Sequence, residues 1–225
     1  MKINFGKKQK IFSLRINIII DKLMVMLITF EGIEGSGKST QIQLLASFLK
    51  KTNKNFIIVR EPGGTTVSEQ IRKILLSPSI HLENETELFL FLASRSELVK
   101  KVILPALNEK KIVLCDRFID STIAYQSYGR GLPEKLIKQL NSFITKGIKI
   151  KRTYLLDCDP KFSNMRLEHK KKDRIEKSEL NFHIKVREGF LKIAEANKKR
   201  FLILNALEPI EIIHQKIIED FKKLI

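Results

Sequence analysis

The eight residues Gly32-Ile33-Glu34-Gly35-Ser36-Gly37-Lys38-Ser39 follow the pattern G-x-x-x-x-G-K-[ST], directly after the apolar run Met26-Leu27-Ile28-Thr29-Phe30. A buried strand, then glycines, then a helix opening near Lys38 is an arrangement whose backbone N–H groups and helix N-terminus hold a polyphosphate. The glycines let the chain wrap an anion at close range, with φ values that side chains forbid. In that geometry Gly32, Ile33, Glu34, Gly35, Ser36, Gly37, Lys38, Ser39 and Thr40 form the nucleotide cradle. Lys38 reaches the β- and γ-phosphates, and the Ser39 hydroxyl ligates Mg2+.

From Met26 onward, apolar runs of strand length alternate with helical patterns, as in βαβ units that build a parallel sheet. The strands are expected at Leu27–Phe30, Phe56–Val59, Ile112–Cys115, Thr153–Leu156 and Phe201–Leu204, each short and continuously apolar as if covered on both faces. Helices are expected at Lys38–Lys50, Val67–Leu76, Glu85–Lys100, Pro133–Phe143, Leu180–Lys198 and Glu208–Leu224. At 225 residues the chain supports one such domain. The expected fold is a three-layer α/β/α arrangement of the P-loop NTPase type, with five parallel strands and a mobile lid. No apolar run is long enough to span a bilayer.

Cys115 and Cys158 are the only cysteines, each ending an apolar run, which points to a reducing cytosol and a cytoplasmic protein. His81, His169, His183 and His214 lack metal-ligand spacing and are expected on the surface or on helix faces. The net charge of +17 raises nucleic acid as a partner. Aromatics are not interleaved with the basic residues, however, and no recognition module is visible, so a Lys-rich surface and a basic lid are the better account. Residues 1–23 carry six basic residues against Asp21 alone and form an extension to the domain at 24–225. The extension reads as an upstream start in place of Met24 or Met26, or as a basic presequence.

Further constellations lie where strands end, which is where open α/β sheets bind ligands. Cys115-Asp116-Arg117-Phe118 places Asp116 to hold Mg2+ through water and Arg117 to fork onto a phosphate. Arg60-Glu61-Pro62-Gly63-Gly64-Thr65 offers a tight reversal with a second cation at the same rim. Phe91 and Arg95, four apart on one helix, can present a ring and a guanidinium to a planar base, whereas Phe89 faces elsewhere and is expected to be buried. Ser121 to Gln126 could read a base or its sugar. The charge-dense segment Arg166 to Glu176 lacks apolar periodicity and suits a flexible cationic flap over transferring phosphates.

Together these motifs resemble bacterial thymidylate kinases. The matching pieces are FEGIEGSGKST at Phe30–Thr40, REPGGT at Arg60–Thr65, FLASR at Phe91–Arg95 and CDRFIDSTIAYQ at Cys115–Gln126, then DRIE at Asp173–Glu176 and VREGFL at Val186–Leu191. The resemblance implies Mg2+-dependent transfer of the ATP γ-phosphoryl to dTMP by a homodimer that needs neither nucleic acid nor a membrane. It implies that Glu34 lies near the acceptor's sugar and phosphate, Arg60 and Arg117 near that phosphate, and Pro62 among the substrate-binding residues. Phe91 would stack on thymine, Arg95 would bond its O4, and Thr122, Tyr125 and Gln126 would line the base and sugar pocket. The family places its catalytic arginine in the phosphate loop or in the lid. Here the loop carries Glu34-Gly35 without arginine, so the lid must supply the cation. Arg166 and Arg174 are the candidates, with Lys170, Lys171 and Lys172 beside them. Phe118 stands where Tyr or His is common.

Overall fold

The computed structural model describes residues 26–168 and 172–225. The basic extension and Lys170 and Lys171 of the lid lie outside the described residues, as does His169. Five parallel strands run β1 (Leu27–Glu31), β2 (Phe56–Arg60), β3 (Ile112–Asp116), β4 (Arg152–Asp157) and β5 (Phe201–Asn205), in the spatial order β2-β3-β1-β4-β5. After β1 the chain builds the sheet first to one side and then to the other. The carboxyl end of β1 is therefore the switch point where such sheets bind ligands.

Each strand runs one residue past its expected end. The apolar pattern stops there but the ladder does not: Glu31 pairs with Leu155, Arg60 with Asp116, and Asp157 with Asn205. Those last rungs place charged side chains at the sheet's carboxyl edge. Central β1 is buried throughout, but both edge strands break the expectation of full coverage, with Ile58 40% and Ile203 49% exposed.

Nine α-helices surround the sheet among the described residues: α1 (Lys38–Lys51), α2 (Thr66–Leu76), α3 (Asn84–Leu98), α4 (Leu104–Asn108), α5 (Ile119–Thr122), α6 (Glu134–Thr145), α7 (Pro160–Arg166), α8 (Leu180–Ala196) and α9 (Ile210–Lys222). A π-helical segment, Val99–Ile103, joins α3 to α4. Pro105 explains it: the ring lacks an N–H and crowds the carbonyl four residues back, so the preceding turn widens. A second π-helical segment, Ile123–Gly129, continues α5. β1 alternates across the sheet: Ile28 and Phe30 join the core that holds Ile42 and Leu45 of α1, whereas Leu27 packs with Leu98, Ile103 and Leu107 of the α3–α4 rod. Phe89 corrects an expectation, since it is 58% exposed. It shares the outer stripe of α3 with Glu85, Ala93 and Ser96, all exposed, whereas Phe91 is half-buried on the side that meets the cleft. No helix among the described residues is long and apolar enough to cross a membrane.

Candidate active site

A cleft of about 730 Å3 opens over the carboxyl ends of β1, β2 and β3 and runs from the loop before α1 to Phe91 on α3. At one end the backbone turns through Gly32, Gly35 and Gly37 at φ 136°, 69° and 95°. Gly32 has no alternative, because a Cβ there would lie 2.5 Å from the Leu156 carbonyl oxygen. Gly37 precedes α1, whose N-terminus carries no side-chain cap and no acidic residue in its first turn. Its free N–H groups and dipole therefore face the cleft and suit an anion. Lys38 is buried, and its Nζ donates to the Ile33 carbonyl at 2.8 Å. Burial, then the nearby Arg117, push its pKa down to about 8, against the pull of Asp116, Glu34 and Glu31.

Ser39 Oγ donates to Asp116 Oδ2 at 2.9 Å, which joins the two expected metal-binding residues. Among the described residues no three His, Cys, Asp or Glu side chains cluster as a self-sufficient metal site. A hydroxyl beside one carboxylate fits Mg2+, a cation that keeps several waters and draws its remaining ligands from phosphates.

Arg117 follows Asp116 in the left-handed region at φ 67°. Its guanidinium reaches Glu34 at 2.9 Å and Ser121 Oγ at 3.1 Å and lies 5.1 Å from the centre of the Tyr125 ring. The Tyr125 hydroxyl donates to Glu34, 2.7 Å from each carboxylate oxygen. Burial pushes the Glu34 carboxyl up, but Arg117, Lys38 and Tyr125 outweigh it and hold the group below the ordinary range. Burial opposes the charge on Arg117 as well, yet the surrounding Tyr125, Glu34, Asp116 and Glu31 hold its pKa well above the usual value.

Deeper in, Arg95 Nη1 donates to Thr122 Oγ1 at 2.7 Å and Asn141 Oδ1 at 2.6 Å, and Nη2 donates to the Phe118 carbonyl at 3.1 Å. Its Nε donates to Glu61 at 2.8 Å, and its Nη2 also meets that carboxylate. All five N–H donors are thus held by protein acceptors, at the wall of the cleft that Phe91, Thr122, Tyr125 and Gln126 also line. On the rim, Arg60 forks onto Glu69 at 3.0 Å and donates to the Pro62 carbonyl at 3.0 Å.

A sequence profile of thymidylate kinase matches residues 30–217. A thymidylate kinase of Kosmotoga olearia is 45% identical over 198 residues, which cover 87% of this chain and 95% of that protein. One from Pelodictyon phaeoclathratiforme is 46% identical over 203 residues, covering 86% and 94%. The crystal structure of thymidylate kinase from Ehrlichia chaffeensis superposes with a TM-score of 0.73 at 39% identity, over 88% of this chain and 98% of that one. The chain belongs to the thymidylate kinase family.

The two arginines expected in the lid part company. Arg166 stays at the cleft, donating to the carbonyls of Gly35 at 3.2 Å and Ala206 at 3.0 Å. Arg174, expected as a second catalytic cation, is turned away from the phosphate loop. Its Nε donates to the Leu75 carbonyl at 2.8 Å and its Nη2 lies 2.6 Å from Glu87. A buried carboxylate on α3 outbids the open cleft for this guanidinium, so Arg174 anchors the returning end of the lid.

Two carboxylates gave no functional signal in the sequence. Glu31, the last rung of β1, accepts the Phe118 N–H at 2.8 Å and the Ser121 hydroxyl at 2.6 Å, and so holds the turn that aims Arg117. Burial, with help from Asp120, pushes its pKa up to about 8. Glu87 is the other. His183, expected on the surface or a helix face, is buried on α8 with Nδ1 3.9 Å from Glu34, and burial lowers its pKa.

Proposed function

We propose that this chain transfers the γ-phosphoryl of ATP to dTMP, giving dTDP and ADP. One observation carries the reading: the phosphate loop and the Phe91–Arg95 wall open into a single cleft, with the Glu34–Arg117 pair between them. Two anionic nucleotides can therefore meet end to end over the sheet. Catalysis of this kind is mostly positioning and charge neutralisation, without a covalent nucleophile.

In this reading Lys38 and the amides from Gly32 to Thr40 hold the donor phosphates. Ser39 and Asp116 would hold Mg2+, which would supply positive charge against the phosphates. Arg117 and Arg60 receive the acceptor phosphate, and Glu34 keeps Arg117 aimed while it touches the sugar. Phe91 stacks on the base, Arg95 releases one of its protein acceptors to donate to O4, and Pro62, Thr122, Tyr125 and Gln126 complete the pocket. Arg166, already at the Gly35 carbonyl, is the lid cation that turns toward the transferring group. Closing the lid would exclude water and so suppress hydrolysis of ATP.

The working unit is residues 24–225, a homodimer in the cytoplasm. The two buried free cysteines suit a reducing compartment, and the exposed Phe89 suits a surface shared with a second copy. Its partners are the two nucleotides, with neither nucleic acid nor a membrane required. The test is coupled ADP release with each monophosphate in turn. Turnover is expected with dTMP and, more slowly, dUMP; turnover only with AMP or GMP would refute the assignment.

A further inference from the structure

Glu87 lies in the first turn of α3, only 1% exposed, where three side chains converge on it. Its Oε1 accepts from Gln126 Nε2 at 3.0 Å and from Arg130 Nε at 3.2 Å. Its Oε2 accepts from Arg130 Nη2 at 3.3 Å and lies 2.6 Å from Arg174 Nη2. Burial disfavours the charge, but Arg130, Gln126 and Arg174 outweigh it and hold the carboxyl below its ordinary range. An ionised carboxylate has no proton to give, so the end of the Gln126 amide that meets it must be the NH2.

The other end of that amide follows by elimination. Gln126 lines the cleft, and its Oε1 accepts no hydrogen bond among the described residues. The cleft is therefore offered an acceptor. An acceptor complements the N3–H of thymine or uracil and repels the N3 lone pair of cytosine. A glutamine left to itself cannot hold such a preference, because its two ends are nearly the same size. Turning the amide over exchanges an acceptor for two donors.

We infer that Glu87 is a specificity-determining positioning residue: by holding the NH2 of Gln126 behind the pocket, it makes the cleft select pyrimidine monophosphates whose N3 carries a proton. The inference rests on the reading that Gln126 lines the acceptor's base pocket. Arg174 extends the device to the lid, because its backbone N–H also donates to the Leu76 carbonyl at 3.2 Å. The returning lid segment and the base pocket thus share one carboxylate.

The test uses the full chain and compares dissociation constants of dTMP and dCMP by calorimetry in wild type, Glu87→Gln and Arg130→Met. Glu87→Gln is isosteric but can donate as well as accept, which frees the Gln126 amide to turn. The dTMP-to-dCMP preference is expected to fall by about tenfold, the worth of one misdirected hydrogen bond. Arg130→Met removes the main charge that keeps Glu87 ionised and so loosens the amide too, and its preference should fall between those of wild type and Glu87→Gln. A folded Glu87→Gln with unchanged preference overturns the inference, as does a folded Arg130→Met whose preference falls further than that of Glu87→Gln.

Should Glu87→Gln fail to fold, the wild-type protein labelled with 15N provides the second measurement. The Gln126 side-chain NH2 is expected to exchange slowly with solvent, with and without dTMP. Rapid exchange, or loss of protection when dTMP is added, would overturn the inference. Failure of wild type to bind dTMP at all would instead sink the acceptor assignment, leaving the protection measurement without dTMP to decide the amide's direction.

Discussion

Replacing Arg95 by methionine should damage folding and base recognition together, and a second substitution should pull the two apart. Arg95 and Glu61 are 2% and 4% exposed in their side chains, so neither charge has access to water. Removing one partner of such a pair costs roughly 3–5 kcal/mol, because the other charge stays buried. Burial already raises the Glu61 carboxyl even with Arg95 beside it. Without Arg95 it takes up a proton, which keeps the charge penalty near 3 kcal/mol, the lower bound of about 3–5. Asn141 Oδ1 and the Phe118 carbonyl lose donors as well, at about 1 kcal/mol each. The total of roughly 5 kcal/mol approaches the whole stability of a typical domain.

In the double variant Glu61→Met/Arg95→Met the orphaned charge is gone, and a loss of only about 2 kcal/mol should remain. At roughly 2–4 °C per kcal/mol, Tm should fall by about 10–20 °C in the single variant and about 4–8 °C in the double. Urea unfolding measures the stabilities, and calorimetry measures the binding of dTMP and Mg·ATP. The double variant should bind dTMP at least about tenfold more weakly and ATP within about twofold of wild type. A double variant no more stable than the single would show that the buried charge was not the source of the loss. A double variant with wild-type dTMP affinity would remove Arg95 from the base pocket.

Three further expectations follow from the cradle and the chain's basic end. Lys38, pushed down to about 8, loses its charge earlier than an ordinary lysine, so ATP affinity of the free enzyme should fall about tenfold per pH unit above that point. The limb should persist in Glu31→Gln, which removes the other group titrating near 8, and affinity flat to pH 10 would contradict it. The stability sign is the opposite: the unfolded chain holds the extra proton between about 8 and 10.5, so this lysine's contribution to stability rises with pH across that window. Gly32→Ala should cost about 1–3 kcal/mol in backbone strain alone, and more from the Leu156 carbonyl, with ATP binding weakened at least about tenfold; an unchanged Tm would refute the geometric argument. Deleting residues 1–23 should leave kcat and KM for both nucleotides within about twofold, and an inactive but folded truncation would assign the extension a catalytic role.

What the sequence shows plainly is whatever chemistry writes into adjacent residues. The phosphate loop is legible because closely spaced glycines, a lysine and a hydroxyl must all meet one anion. The strands are legible because burial on both faces demands apolar runs. Their last rungs are not, since Glu31, Arg60, Asp116 and Asp157 keep the β ladder while breaking the apolar pattern. Phe89 misleads for a related reason: aromatic content says that a side chain prefers burial, but only the placement of neighbouring helices decides which stripe of α3 receives it. The lid shows the limit most clearly. Arg166 and Arg174 stand in one charge-dense segment and read alike, as cations free to close on phosphate. Their fates diverge because Glu87, distant in sequence and silent as a motif, lies buried against one of them and not the other. A guanidinium facing open solvent and one facing a desolvated carboxylate differ by several kcal/mol in where they prefer to stay. That difference assigns Arg166 to the cleft and Arg174 to the frame around it, and it makes a buried acid the link between lid and base pocket.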